Sequence, residues 1–202
     1  GERGRGKVRG GDVDADTSGG HNTMDEVEGD VVAGTSGGRI TIGNVTGDVN
    51  ADTSGGRIQI GDVGGDLVAD TSGGNIEVGS GGGTVGLDTS GGSIRAAWAT
   101  GAISADTAGG NIFLAGSDVS VYADTSGGNI EILGSGGPVE ADTSGGRITI
   151  RGTMGPGHAD TAGGSIDVDL SAVRGTDRQS GVQGKSVDPG GRRMYNKQKH
   201  SD

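Results

Sequence analysis

The amino-acid sequence predicts an all-β fold, a β-solenoid of nine 18-residue coils over residues 13–174. Three observations support this prediction. The sequence Asp-Thr-Ser-Gly-Gly, with small variations, recurs every 18 residues without an insertion or deletion. Apolar residues recur two positions apart within each repeat, which is the period of a β-strand. The chain has 48 Gly and four aromatic residues among its 202, which disfavours a large ordinary core and suits a thin core renewed in every coil.

The repeated turn marks each coil by its Thr, and an Asp precedes that Thr in every copy except the one with Gly34. An insertion would put all later residues out of register with the coil below, so the constant spacing indicates residues stacked in columns. The two columns predicted at this turn are Asp16, Asp52, Asp70, Asp88, Asp106, Asp124, Asp142 and Asp160, and Thr17, Thr35, Thr53, Thr71, Thr89, Thr107, Thr125, Thr143 and Thr161.

The core is predicted from two apolar pairs in each coil. Ile stands five residues after the Thr in eight of the nine copies, and the residue two positions later is always apolar. The second pair lies nine residues from the first and consists mainly of Val and Ala. The predicted Ile column is Ile40, Ile58, Ile76, Ile94, Ile112, Ile130, Ile148 and Ile166.

Two half-coils predict two parallel sheets stacked face to face, which is a flattened solenoid. A triangular coil with three six-residue sides is the alternative that the period leaves open. Ile facing Val and Ala allows large and small side chains to interdigitate at normal density. With strands about 4.8 Å apart, nine coils would form a rod about 43 Å long.

The turn itself has a structural interpretation. We expect its Asp to accept hydrogen bonds from backbone N–H groups two residues on, its Gly to provide positive φ, and its Thr and Ser hydroxyls to bond along the columns. The calcium-binding β-roll consensus is a poor match, because it needs Gly where Ile58 and its equivalents stand and an Asp that is missing here. Stacked carboxylates about 5 Å apart leave loose cation binding open.

Other chemistry has little support in the sequence. Ice binding needs a regular uncharged Thr face, and the outward positions are irregular. The three His lie at unrelated coil positions, so we predict no catalytic residue, no cofactor, no metal site and no enzyme activity. Trp98, Phe113 and Tyr122 lie in neighbouring coils and are a candidate contact patch, with three isolated surface aromatics as the alternative.

The recurring Ala-Asp-Thr-Ser-Gly-Gly-x-Ile-x-Ile, with Gly-Asp-Val at 47–49 and 61–63, resembles the β-strand-repeat domains of prokaryotic adhesin-like proteins. The resemblance covers residues 11–170 and implies a β-solenoid on a secreted or envelope protein, without a catalytic motif. The strict 18-residue period departs from that family.

The ends of the chain suggest how it associates. Residues 1–12 are Gly/Arg-rich and residues 175–202 form a polar, basic tail, and neither is an obvious cap. Uncapped coils favour head-to-tail stacking of copies into filaments, which predicts a structural protein that is extracellular or at the cell surface. The alternative is a monomeric adhesin-like module that binds a surface or matrix ligand and is capped by its own tail. The net charge of −11 disfavours nucleic acid, and no apolar run is long enough for membrane insertion.

Overall fold

A computed structural model describes residues 11–169 and the backbone of 183–185. Most of the predicted N-terminal segment, the last five residues of the predicted solenoid and most of the predicted tail lie outside these residues. The described residues form nineteen strands. None of them belongs to a helix that is long and apolar enough to cross a membrane.

Each coil contributes one strand to each of two parallel sheets, so the predicted flattened solenoid is confirmed. The Val/Ala sheet contains, in spatial order, β1 (Val13–Thr17), β3 (Val31–Thr35), β5 (Val49–Thr53), β7 (Leu67–Thr71), β9 (Val85–Thr89), β11 (Ile103–Thr107), β13 (Val121–Thr125), β15 (Val139–Thr143), β17 (Gly157–Thr161) and β19 (Gln183–Lys185). The Ile sheet contains β2 (Asn22–Val27), β4 (Ile40–Val45), β6 (Ile58–Ile60), β8 (Ile76–Val78), β10 (Ile94–Ala99), β12 (Ile112–Ser117), β14 (Ile130–Ile132), β16 (Ile148–Arg151) and β18 (Ile166–Asp169).

The strands from β1 to β18 stack in the register that the repeat predicts. Ile58 pairs with Ile76, and Ala51 pairs with Ala69, each partner being 18 residues further along the chain. The predicted Ile column is buried from its first member to Ile148, and only Ile166 in the last coil is half-buried. The core is therefore a continuous stack between the two sheets.

The core has a third inward column that the sequence analysis did not identify. It lies at the turn opposite the repeated Thr, and isolated bridges connect successive coils there. We call the turn that contains the repeated Thr the Thr corner and the opposite turn the far corner. The members of the column are Val27, Val45, Val63, Gly81, Ala99, Ser117, Ser135 and Thr153, all of them buried. Because this column mixes apolar with polar residues, the sequence has no hydrophobic period that would show that the column faces inward.

Asn22 replaces Ile at the first position of the Ile column, and the structure explains why. Its side chain is buried, and its Nδ2 donates hydrogen bonds to the carbonyl oxygens of Ala15 at 2.9 Å and Gly34 at 3.0 Å. The two carbonyl oxygens thus provide acceptors for both amide hydrogens, which a buried Asn side chain requires.

β19 departs from the repeat. Gln183 pairs with His158, 25 positions earlier, whereas neighbouring strands elsewhere in this sheet are 18 positions apart. The strand covers three residues of β17 and places Lys185 in register with Asp160. Part of the predicted tail therefore adds a strand to the last coil, out of step with the period.

Candidate functional site

The Thr corner is a buried relay of hydrogen bonds that links each coil to the one before it. In the third coil, Gly56 N–H donates to Thr53 Oγ1 at 3.3 Å, and Thr53 Oγ1 donates to the carbonyl oxygen of Gly38 in the preceding coil at 3.0 Å. The same two bonds recur at every Thr of the column from Thr35 to Thr161. Only Thr17 bonds directly to the next Thr. The motif Thr is therefore structural and inaccessible.

The glycine pair is required by close packing, and the prediction that it provides positive φ is wrong. Among the described residues, only Gly11, Gly29, Gly116 and Gly152 have positive φ, and none of them belongs to the pair. A Cβ on Gly56 would lie well inside van der Waals contact of the Gly38 carbonyl oxygen. A Cβ on Gly55 would meet nothing within 4 Å. The second Gly of each pair therefore allows adjacent coils to approach.

The turn Asp column lies on the outer surface of the Val/Ala sheet, next to the Thr corner. Within residues 11–169, none of these carboxylates accepts a backbone N–H, so the predicted turn hydrogen bond is not formed. Asp106 accepts a hydrogen bond from the hydroxyl of Ser104 at 3.3 Å. At the one Gly in the column, Gly34, a Cβ would meet the Asp16 carboxylate, which is exposed and would have to turn aside.

Stacking makes the charged form of these carboxylates less favourable. Partial burial raises the pKa of Asp70, and repulsion from Asp88 and Asp52 raises it further. Burial likewise raises the pKa of Asp106 and of Asp142, and neighbouring carboxylates raise it further, while the Ser104 hydrogen bond and His158 respectively oppose these shifts. The column is thus an acidic stripe along the rod that His158 partly offsets at Asp142.

A different set of Asp residues connects the coils by hydrogen bonds. Asp12, Asp30, Asp48 and Asp66 occupy the position before each Val/Ala strand, and each carboxylate accepts the backbone N–H of the equivalent residue one coil later, at 2.7 to 3.0 Å. The pKa of Asp66 is lowered by its bonds to the Thr84 backbone and hydroxyl. Of the two Gly-Asp-Val segments, 47–49 contributes Asp48 to this ladder, whereas Asp62 of 61–63 accepts the N–H of Ser80 in a neighbouring column.

The three aromatic residues of the candidate contact patch do not form one surface. Trp98 and Phe113 lie on the Ile sheet, and Tyr122 lies on the opposite, Val/Ala sheet. The Trp98 ring covers the backbone of Gly116 and Gly134 in the next two coils, and its Nε1 donates to Asp118 Oδ1 at 3.1 Å. The Arg95 guanidinium lies 4.4 Å from the centre of the half-buried Phe113 ring. Trp98 and Phe113 therefore pack against residues of their own sheet.

Tyr122 lies in a groove of about 420 Å³ on the outer side of the Val/Ala sheet, across β13, β15 and β17. One side of the groove is formed by Ser120, Pro138 and Pro156. The other side is formed by Tyr122, Glu140 and His158. Glu140 is in register with both Tyr122 and His158. The coil position of His158 is unrelated to that of the other His residues and gave no sign of this groove, because the groove depends on three coils being stacked.

In the part of the chain that the structure describes, no three His, Asp or Glu side chains are grouped so that they could hold a metal ion. Comparisons with protein-family models, curated proteins and solved structures found no match. The groove and the two ends of the rod are therefore the surfaces on which a function can be argued.

Proposed function

We propose that this chain is a structural β-solenoid whose copies stack head to tail into filaments, outside the cell or at its surface. The observation that supports this most directly is the pair of open ends. Among the described residues, β1 and β2 at one end and β18 at the other each pair with a strand on one side only. Unpaired strand edges accept strands from other chains unless they are covered.

The two ends of the rod are complementary because successive coils pair in the same 18-residue register. An incoming copy that continues the 18-residue register would place Met24 on Val168 and Ala15 on Ala159. Val13 and Ala15 at one end, and Ile166 and Val168 at the other, are half-buried and pack against the core. Stacking would bury their remaining exposed surface, which favours association by about 25 cal/mol for each Å² of apolar area.

One observation favours the second candidate, a single rod that acts as an adhesin-like binding module. β19 occupies part of the β17 edge, which a second copy would otherwise use. Its Lys185 is in register with Asp160, where an incoming β1 would place Asp16 and add a like charge to the acidic stripe. A strand from the tail therefore competes with a second copy at one of the two sheets.

The experiment that tests the filament proposal is electron microscopy at micromolar concentration of the full chain and of the chain without residues 175–202. The edge variant is Asp25→Pro. Gly61 and Leu133, at the equivalent position, donate their N–H to the preceding coil, so the N–H of Asp25 points to the open end. Proline removes that donor and blocks an edge.

The matched control is Asp25→Ala, which loses the same charge and keeps the N–H. We expect filaments from the wild type and from Asp25→Ala, and single rods from Asp25→Pro, with the same circular dichroism spectrum for all three. Single rods from the wild type, the control and the truncated chain alike would exclude the filament proposal and favour the adhesin-like module.

A further inference from the structure

The groove beside Tyr122 lies in the coils beyond the Asp ladder, whose last carboxylate, Asp66, accepts the N–H of Thr84. The ladder position is Asp in the first coils, and it is Pro138 and Pro156 at the groove. Proline has no N–H to donate to a side chain in the coil before, so no ladder bond can form at these rungs. The adjacent outward positions carry Tyr122, Glu140 and His158, which leaves a trough along the rod axis.

The location on a sheet face restricts the kind of ligand. β13, β15 and β17 use their backbone groups in pairing with neighbouring strands, so the groove offers a ligand only side chains. An extended peptide that adds a strand needs an open sheet edge, and this surface is not one. Recognition here must depend on ring faces and on side-chain hydrogen bonds.

The side chains combine apolar rings with exposed polar groups. Tyr122 is 37% exposed, and the two proline rings lie across the trough from it. Glu140 and His158 are exposed, and His158 lies near enough to Asp142 to lower the pKa of that carboxyl. The groove volume falls within the range of small-molecule sites. A sugar fits this chemistry, because each ring has an apolar face and a rim of hydroxyl groups.

The local charge selects among sugars. Burial raises the pKa of Tyr122, and the carboxylates of Asp124, Asp106, Asp142 and Glu140 raise it further. The same carboxylates repel phosphate, sulfate and uronate groups. We infer that this groove binds an uncharged oligosaccharide, with Tyr122 stacked on one sugar ring and Glu140 and His158 hydrogen bonded to hydroxyl groups of the next. This site lies on the side of the rod and does not depend on stacking of copies.

The test is isothermal titration of the full chain, at a concentration where sedimentation shows single rods, with cellopentaose, chitopentaose, pentagalacturonate and pentalysine. The site variants are Tyr122→Ala, Tyr122→Phe and Glu140→Gln. The control is Val68→Ala, which lies in the same outward column three coils earlier and is 45% exposed. Thermal unfolding of every variant confirms that the solenoid remains folded.

We expect at least one neutral pentasaccharide to bind, and pentagalacturonate not to bind. Tyr122→Ala should weaken binding at least about tenfold, Tyr122→Phe should keep most of it, and Val68→Ala should change nothing. Failure of both neutral sugars to bind at millimolar concentration would overturn the inference, as would affinity that survives Tyr122→Ala or binding of pentalysine alone. None of these results bears on filament formation, which is measured separately.

Discussion

The first four coils and the last four share the Thr corner and differ at the far corner. In the first coils the far-corner column is Val27, Val45 and Val63, and Asp carboxylates link the turns. In the last coils that column contains Ser117, Ser135 and Thr153. The ladder position there is Ala102, Ser120, Pro138 and Pro156, none of which is an Asp. One corner is therefore constant along the rod, and the other varies.

The difference shows where the solenoid tolerates chemical change. At the Thr corner a hydroxyl and a close Gly contact are needed in every coil, because each coil donates to the one before it. At the far corner the Asp ladder can be replaced, since prolines at its position have no N–H that needs an acceptor, and in a neighbouring column Trp98 covers Gly116 and Gly134. The groove lies in coils where proline stands at the position of the ladder Asp.

The largest effect should come from the shared corner and should be equal in both regions. We expect Gly56→Ala and Gly146→Ala each to destabilise the fold by about 3 kcal/mol, because the new Cβ collides with a backbone carbonyl of the coil before. Urea unfolding followed by circular dichroism measures the change. The matched control is Gly55→Ala, which should stay within about 0.5 kcal/mol of the wild type. A much smaller cost at Gly146 than at Gly56 would show that the Thr corner is not equivalent along the rod.

A reciprocal exchange at the far corner should have a smaller effect, of opposite sign in the two regions. Thr153 Oγ1 is buried and has no hydrogen-bond partner, so Thr153→Val should stabilise the fold by about 1 kcal/mol. Val63→Thr introduces a hydroxyl into an apolar part of the same column and should cost about 1–3 kcal/mol. Thermal unfolding of both variants tests this. Equal losses in both would mean that the column is governed by shape and not by polarity.

The sequence was sufficient for the architecture because the inward columns of the sheets have a constant composition. Ile58 and Ala51 repeat with a strand period, and the inward position of Thr53 follows from the same parity. The far corner could not be predicted, since a column that changes from Val63 to Thr153 has no hydrophobic period. The groove was also hidden, because its residues are 18 positions apart and are only brought together by stacking.

The hydrogen-bonding role was predicted for the wrong one of the two Asp columns for a related reason. Both columns are acidic and periodic, and spacing alone does not say which carboxylate meets an N–H. Asp48 accepts the N–H of Asp66 at 2.8 Å, whereas Asp70 accepts no backbone N–H within the described residues. Replacing each by Ala separates the roles. We expect Asp48→Ala to cost about 1 kcal/mol at pH 7 and Asp70→Ala to gain a few tenths of a kcal/mol.

The pH dependence of the stability gained by Asp70→Ala follows from the direction of the Asp70 pKa shift. Burial and the adjacent carboxylates raise the pKa of Asp70 in the folded state above its ordinary value of 3.8, so the folded chain binds this proton more tightly than the unfolded chain. Its destabilising effect is therefore complete above the raised pKa, shrinks as the pH falls through that pKa, and is lost only below 3.8. The gain from Asp70→Ala should be present at pH 7 and absent at about pH 3, as measured by urea unfolding at both values. Asp66 acts in the opposite direction, because its lowered pKa stabilises the folded chain at every pH above 3.8, and this stabilisation is lost as the pH falls below that value. A gain for Asp70→Ala that is equal at both pH values would show that repulsion along the acidic stripe is not what the substitution relieves.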